Sequence, residues 1–247
     1  MAGIYIHVPF CRQACNYCNF HFSVSHKNMD EYIHCIHKEI EMTTDYLNIE
    51  GETKQNGKIP IGSVYLGGGT PSLLDPKVIN AFFEKLRLYY TLDPIGEYTL
   101  EANPDDLTTE KLEALAQTPV NRLSIGIQSF RAEDLKYMNR IHSPLQAINA
   151  ISNAQKAGFN NLTIDLIYGV PGMDDQAWID NIQKATDMGI NHISTYALTI
   201  EPHTPLDVFI RKGKSAPVFE MQSARQFEIL IGILENKGFL HYEISNF

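Results

Sequence analysis

The feature that constrains this chain most is a repeated order of apolar β run, loop and helix. Residues 4–10, 63–66, 97–102, 122–127, 162–167 and 192–198 read as strands. Helical patterns fall between them at about 28–47, 76–90, 108–117, 132–138, 144–157 and 174–188, with a last helix at 218–236 and one more strand at 240–244. Asp75-Pro76, Thr108 and Asp174 read as helix starts. Ala157-Gly158-Phe159, Met188-Gly189-Ile190 and Lys237-Gly238-Phe239 place Gly where a helix ends in a left-handed residue. Strands alternating with helices predict a parallel sheet with right-handed crossovers. About six such units give an α/β fold, an incomplete (β/α)6-type TIM-like barrel with a mostly parallel sheet, in one domain over 1–247. Its strands are expected to be apolar on both faces. The polar stretch 48–62 reads as a surface loop.

Composition excludes several classes. The formal charge of −9, with no Lys/Arg run, argues against a nucleic-acid surface. No apolar stretch is long enough to span a bilayer, and no basic region followed by an apolar one opens the chain, so no signal peptide is expected. Four cysteines, three of them clustered, suit a reducing compartment such as the cytoplasm rather than a disulfide framework.

The clustered cysteines are Cys11-Arg-Gln-Ala-Cys15-Asn-Tyr-Cys18, directly after the first apolar run. Cys35 lies in a helical pattern and reads as a small apolar side chain. Structural zinc takes four protein ligands. A cubane iron–sulfur cluster has four irons, each needing a terminal ligand, so three thiolates would leave one iron open. Two other readings remain: incidental thiols, or a zinc site completed by His7, His21 or His26.

In parallel α/β folds ligands gather at the carboxyl ends of the strands. The unusual polar residues fall there: the three cysteines, Gly67-Gly-Gly-Thr70, Glu101, Gln128, Asp165 with Tyr168, and Tyr196 with Thr199. The Gly run is not a P-loop, because no Gly-Lys-Ser/Thr follows, and Pro71 interrupts any dinucleotide turn. Glu101 can take two hydroxyl bonds, Gln128 can bridge polar groups, and Arg140 offers a fixed fork for a carboxylate. Asp165 ends an apolar strand, where a bare charge is costly unless paired.

The cysteine spacing resembles the signature of the radical S-adenosylmethionine (SAM) superfamily. Ile-Tyr5-Ile-His7-Val-Pro-Phe-Cys11, Gly-Gly-Gly-Thr70-Pro-Ser, Glu101-Ala-Asn-Pro, Ser-Ile-Gly-Ile-Gln128-Ser-Phe, Asn-Arg140-Ile-His, Ile-Asp165-Leu-Ile-Tyr-Gly-Val-Pro-Gly and Leu-Thr-Ile-Glu201-Pro look like the oxygen-independent coproporphyrinogen III oxidase group. The resemblance implies a [4Fe-4S] cluster ligated by Cys11, Cys15 and Cys18, with S-adenosyl-L-methionine on the open iron. It implies that Tyr5, Gly68 and Glu101 hold that SAM. Tyr17, Gly69, Thr70, Gln128, Arg140, Asp165 and Ala197 match contacts to a second SAM in the oxidase branch. True oxidases carry a further cysteine two residues after the third; here Phe20 stands there. Cys-x-Tyr-Cys-x-Phe and Leu-Thr-Ile-Glu-Pro-His-Thr-Pro look more like the heme-chaperone (HemW) branch, although its usual Asp after the third cysteine is Asn19 here. That branch implies heme or a porphyrinogen as a further ligand, a heme-acceptor protein and a reductant protein. It also implies a C-terminal domain, and the expectation is that this domain is absent or truncated after Phe247.

Overall fold

The computed structural model describes residues 2–44 and 58–247. Six strands, β1 (Ala2–Val8), β2 (Ile59–Gly68), β3 (Tyr90–Ala102), β4 (Arg122–Gln128), β5 (Asn161–Tyr168) and β6 (His192–Ala197), form one sheet. They pair in chain order, and every pair is parallel. The right-handed twist of neighbouring strands curls the sheet into a half-barrel, the incomplete barrel expected. The helices are α1 (Met29–Met42), α2 (Pro76–Tyr89), α3 (Thr109–Leu115), α4 (Ala132–Tyr137), α5 (Pro144–Lys156), α6 (Asp175–Asp187), α7 (Pro205–Arg211) and α8 (Glu220–Asn236).

The starts read from sequence are built as expected. Asp75 accepts from the Lys77 N–H, Thr108 from Lys111 and Asp174 from Ala177. Gly158, Gly189 and Gly238 all take positive φ after their helices. The helix expected at 28–47 is α1; residues 45–47, and most of the loop expected at 48–62, lie outside the described residues. Ser143 and Gln146 also close a reciprocal capping box at α5.

Three expectations are corrected. The strands are not apolar on both faces. Their outer faces, such as Leu66, Leu100, Ile125 and Ile164, are fully buried with Phe82, Ile151 and Trp178 of the helices in one core. Their inner faces carry Glu101, Arg122, Ser124, Thr163, Asp165 and Ser194 around a cavity of about 230 Å³. A half-barrel leaves that inner face open to ligand and water, so alternation survives in a parallel sheet. Residues 240–244 are not a strand. His241 stacks on Phe247 with centroids 4.2 Å apart, and the chain turns back through Glu243. The β6 edge is instead met by 245–247: Ile193 and Phe247 exchange two backbone bonds of 3.0 Å, and Thr195 N–H donates to Ser245 O at 2.7 Å. Cys35 is exposed on α1 rather than packed, because Ile36 and Ile40 take the buried stripe. Helix α7, capped by Thr204 with Pro205 at its first position, was not among the sequence expectations.

Candidate functional site

The first loop is tied down from several directions. Cys11 N–H donates to Ser23 O at 2.9 Å, and Asn16 N–H to Met138 O at 3.1 Å. Gln13 and Asn139 exchange side-chain bonds of 2.8 Å with each other's segments, Gln13 to Asn139 O and Asn139 to Ala14 O. Asn19 reaches Glu201 at 3.0 Å. The loop therefore lies over the carboxyl ends of β1 to β4, where a parallel sheet collects ligands.

Two of the three sulfurs have side-chain donors among the described residues, and the Phe20 backbone N–H serves Cys18. Thr70 Oγ1 donates to Cys11 Sγ at 3.4 Å, and Arg140 Nη1 donates to Cys15 Sγ at 3.3 Å. Cys11, Cys15 and Cys18 lie within electrostatic reach of one another; burial pushes the Cys11 and Cys18 thiols up. Tyr17 lies within reach of Arg140, Cys15, Cys18 and Asp165, and burial raises it. Arg140 is held cationic: burial works against its charge, but Tyr17 and Cys15 outweigh it. Its Nη2 donates to Asn103 Oδ1 at 2.7 Å and to Gly126 O at 3.0 Å.

The glycine turn is needed by the chain's own packing. A Cβ on Gly69 would lie 2.8 Å from Phe10 O and 3.0 Å from Cys11 Sγ, and Gly68 takes a φ of 115° that side chains resist. Gly68 N–H donates to Glu101 Oε2 at 3.0 Å, and Tyr65 OH donates to Oε1 at 2.8 Å. Burial raises Glu101 above the usual carboxylate range, against the pull of these two bonds. Each carboxylate oxygen keeps a further acceptor position. Tyr5, exposed on β1, stacks on Tyr65 at 6.0 Å and joins its OH to His7 Nδ1 at 3.0 Å.

Gln128 ends β4 at φ 65°, held there by Ser129 N–H donating to Ile127 O at 2.8 Å and by buried His142, whose Nε2 meets the same carbonyl at 3.0 Å. Its amide folds over Gly126 beside Arg140. Asp165 is not at the strand end but within β5, lining the same cavity as Glu101. Burial, then the Glu101 charge, pushes it up to about 7. Tyr196 and His192 line the same cavity. Tyr168 turns away from the mouth: it packs on Trp178 at 5.6 Å and Phe227 at 6.1 Å, because it shares the outward register of Leu166. Ala197 ends β6, half-buried and paired with Tyr168. Thus Cys11, Cys15, Cys18, Tyr17, Gly69, Thr70 and Arg140 form one cluster, and Tyr5, Gly68 and Glu101 form a second beside it. Asp165 shares the cavity with Glu101 and lies within electrostatic reach of Tyr17 and Arg140, and Ala197 stands at the end of β6. Asn103 and Tyr65, which join these groups, were not among the sequence candidates; the two-residue strand period from Glu101 puts Asn103 on the same face.

The residues present fit an iron–sulfur cluster. Three thiols lie within electrostatic reach of one another, each with a hydrogen-bond donor, and Arg140 Nε is buried beside them without a partner. Among the described residues no three His, Cys, Asp or Glu, the three cysteines included, are grouped closely enough to hold a single ion, so a zinc site has no support here. His26 instead meets Cys11 O, and His21 is exposed.

A parallel half-barrel with three cysteines over a glycine turn is a framework in which a sulfur-ligated cofactor would sit at the strand ends. The Radical SAM superfamily profile matches residues 5–185, and the chain belongs to that superfamily. It is similar to "Heme chaperone HemW" of Bacillus subtilis, 32% identical over 100% of this chain and 63% of that protein. It is also similar to "Radical S-adenosyl methionine domain-containing protein 1, mitochondrial" of Danio rerio, 33% identical over 100% of this chain and 54% of that protein. The chain thus spans somewhat over half the length of these relatives. Among solved structures, coproporphyrinogen III oxidase (HemN) from Escherichia coli superposes with a TM-score of 0.83 at 22% identity, over 99% of this chain and 54% of that one. That likeness shows the fold. No helix among the described residues is long and apolar enough to cross a membrane.

Proposed function

We propose that this chain is the radical SAM core of a heme-chaperone-type protein that binds a [4Fe-4S] cluster, SAM and heme, in the cytoplasm. Cys11, Cys15 and Cys18 would hold the cluster. Tyr5, Gly68 and Glu101 would hold the SAM on it. When bound, the reduced cluster and SAM supply a one-electron route to a 5′-deoxyadenosyl radical. The chain's own residues act around that chemistry. Glu101 offers its remaining lone pairs to ribose hydroxyls, and the Gly68 turn brings backbone close to the ligand. Arg140, fixed by Asn103 and Gly126, keeps a positive charge beside Cys15. Tyr17, Gly69, Thr70, Gln128, Arg140, Asp165 and Ala197 would be the corresponding positions for a second SAM. A heme-acceptor protein and a reductant protein would complete the cycle.

The observation that carries the chaperone reading over the oxidase one is Phe20. It stands where the resemblance places a further oxidase cysteine, and it is 73% exposed beside the cysteine loop. The similarity to HemW along the whole chain supports the same side. The test uses the full-length protein, reconstituted anaerobically and given reductant, SAM and either heme or coproporphyrinogen III. Heme retention through gel filtration with no protoporphyrinogen on chromatography is expected. Cys11-dependent decarboxylation would make the protein an oxidase and overturn the reading.

A further inference from the structure

Two of the sulfurs receive hydrogen bonds from residues far apart in sequence, Thr70 and Arg140, and one side chain touches both donors. Asn103 Nδ2 donates to Thr70 Oγ1 at 3.2 Å, and Asn103 Oδ1 accepts from Arg140 Nη2 at 2.7 Å. The first contact fills a lone pair of the threonine hydroxyl, so its single proton is left for Cys11 Sγ at 3.4 Å. The second contact fixes one arm of the guanidinium, and the planar fork then sends Nη1 to Cys15 Sγ at 3.3 Å. Asn103 is itself anchored. Its N–H donates to Ser72 Oγ at 3.2 Å; Ser72 Oγ donates to buried Asp106 at 2.8 Å; and Asp106 accepts from Arg12, the residue after Cys11, at 2.8 Å. A closed ring of contacts thus runs from the first cysteine through Arg12, Asp106, Ser72, Asn103 and Thr70 back to the same sulfur.

We infer that Asn103 is a positioning residue that sets the reduction potential of the cluster by aiming two hydrogen-bond donors at its cysteine sulfurs. The inference rests on the cluster reading above. Hydrogen bonds to ligand sulfur stabilise the more electron-rich, reduced state and raise the potential. Without Asn103, the Thr70 hydroxyl is free to rotate away and the Arg140 fork loses an anchor. The potential then moves to more negative values while the three thiolates remain.

The test is an anaerobic potentiometric titration, followed by electron paramagnetic resonance without SAM, on the reconstituted full-length protein. It compares wild type, Asn103→Ala, Asn103→Asp, Thr70→Val, and Thr70→Val combined with each Asn103 change. About four irons per chain in wild type are required first; their absence would defeat the cluster reading, not the role of Asn103. With iron in place, Thr70→Val shifts the potential negative in wild type. It adds no shift in either Asn103 background, because there the hydroxyl no longer points at Cys11. Asn103→Asp is isosteric, draws the Thr70 proton to its carboxylate, and decides the question if the Ala variant fails to fold. An unchanged potential in iron-loaded Asn103 variants, or an equal Thr70→Val shift in all backgrounds, would overturn the inference.

Discussion

Replacing Asp165 by Asn tests the electrostatics of the barrel interior. Among the described residues Asp165 has neither a hydrogen bond nor an ion pair, and it faces the Glu101 charge. Its folded value is pushed up to about 7, against roughly 3.9 in an unfolded chain. Between those values the folded state binds more protons than the unfolded one. The stability carried by the protonated carboxyl is therefore complete below the unfolded value and is lost as pH rises through about 7. The gap between those two values corresponds to about 4 kcal/mol when fully expressed. Asparagine has the same shape, never ionises, and breaks no contact. Its stability relative to wild type is expected to grow by about 3 kcal/mol between roughly pH 5 and pH 8. Urea unfolding of the metal-free chain, followed by circular dichroism at both pH values, reads this directly. A difference between the two proteins that does not change with pH would refute the reasoning, since it would mean that the carboxylate is as well solvated folded as unfolded.

Other outcomes follow from the same geometry. Glu101→Ala is expected to weaken SAM binding by calorimetry while leaving iron content unchanged, because Glu101 bonds Tyr65 and Gly68 and no sulfur. Gly69→Ala forces a methyl to within 2.8 Å of Phe10 O and 3.0 Å of Cys11 Sγ; iron per chain should fall on reconstitution while the far-ultraviolet spectrum is retained. Trp178→Ala should cost about 3–5 kcal/mol in denaturant unfolding, since the ring is fully buried and its Nε1–H donates to Gln226 O at 3.0 Å. Asp75→Ala should cost about 1 kcal/mol through loss of the bond from Lys77 N–H.

The strand–helix order was legible because each helix carries its own punctuation, such as Asp75-Pro76 before α2 and Gly189 after α6. Cys11, Cys15 and Cys18 were legible because their spacing alone places three thiols on one short loop. The inner face of the sheet was not, since Asp165 sits singly among Ile164, Leu166 and Ile167 and reads as the polar end of an apolar strand rather than as part of a polar face. Only curvature turns that residue inward to meet Glu101, and curvature is a property of the whole sheet. The position of Tyr168 at a strand end points to the mouth, but its register sends the ring outward onto Trp178. Asn103 is not legible in the sequence because its role depends on Thr70 and Arg140, which approach it only in three dimensions. The edge contact made by 245–247 is likewise set by tertiary pairing with β6, not by the apolar pattern of 240–244.

The central claim is that Cys11, Cys15 and Cys18 hold an iron–sulfur cluster that receives SAM. The most direct measurement is iron and sulfide analysis of the anaerobically reconstituted protein, with the reduced cluster's paramagnetic spectrum recorded before and after SAM. The account predicts about four irons per chain, a spectrum that shifts on adding SAM, and loss of both features in Cys11→Ala. An iron content that is negligible, or indifferent to Cys11→Ala, would contradict it.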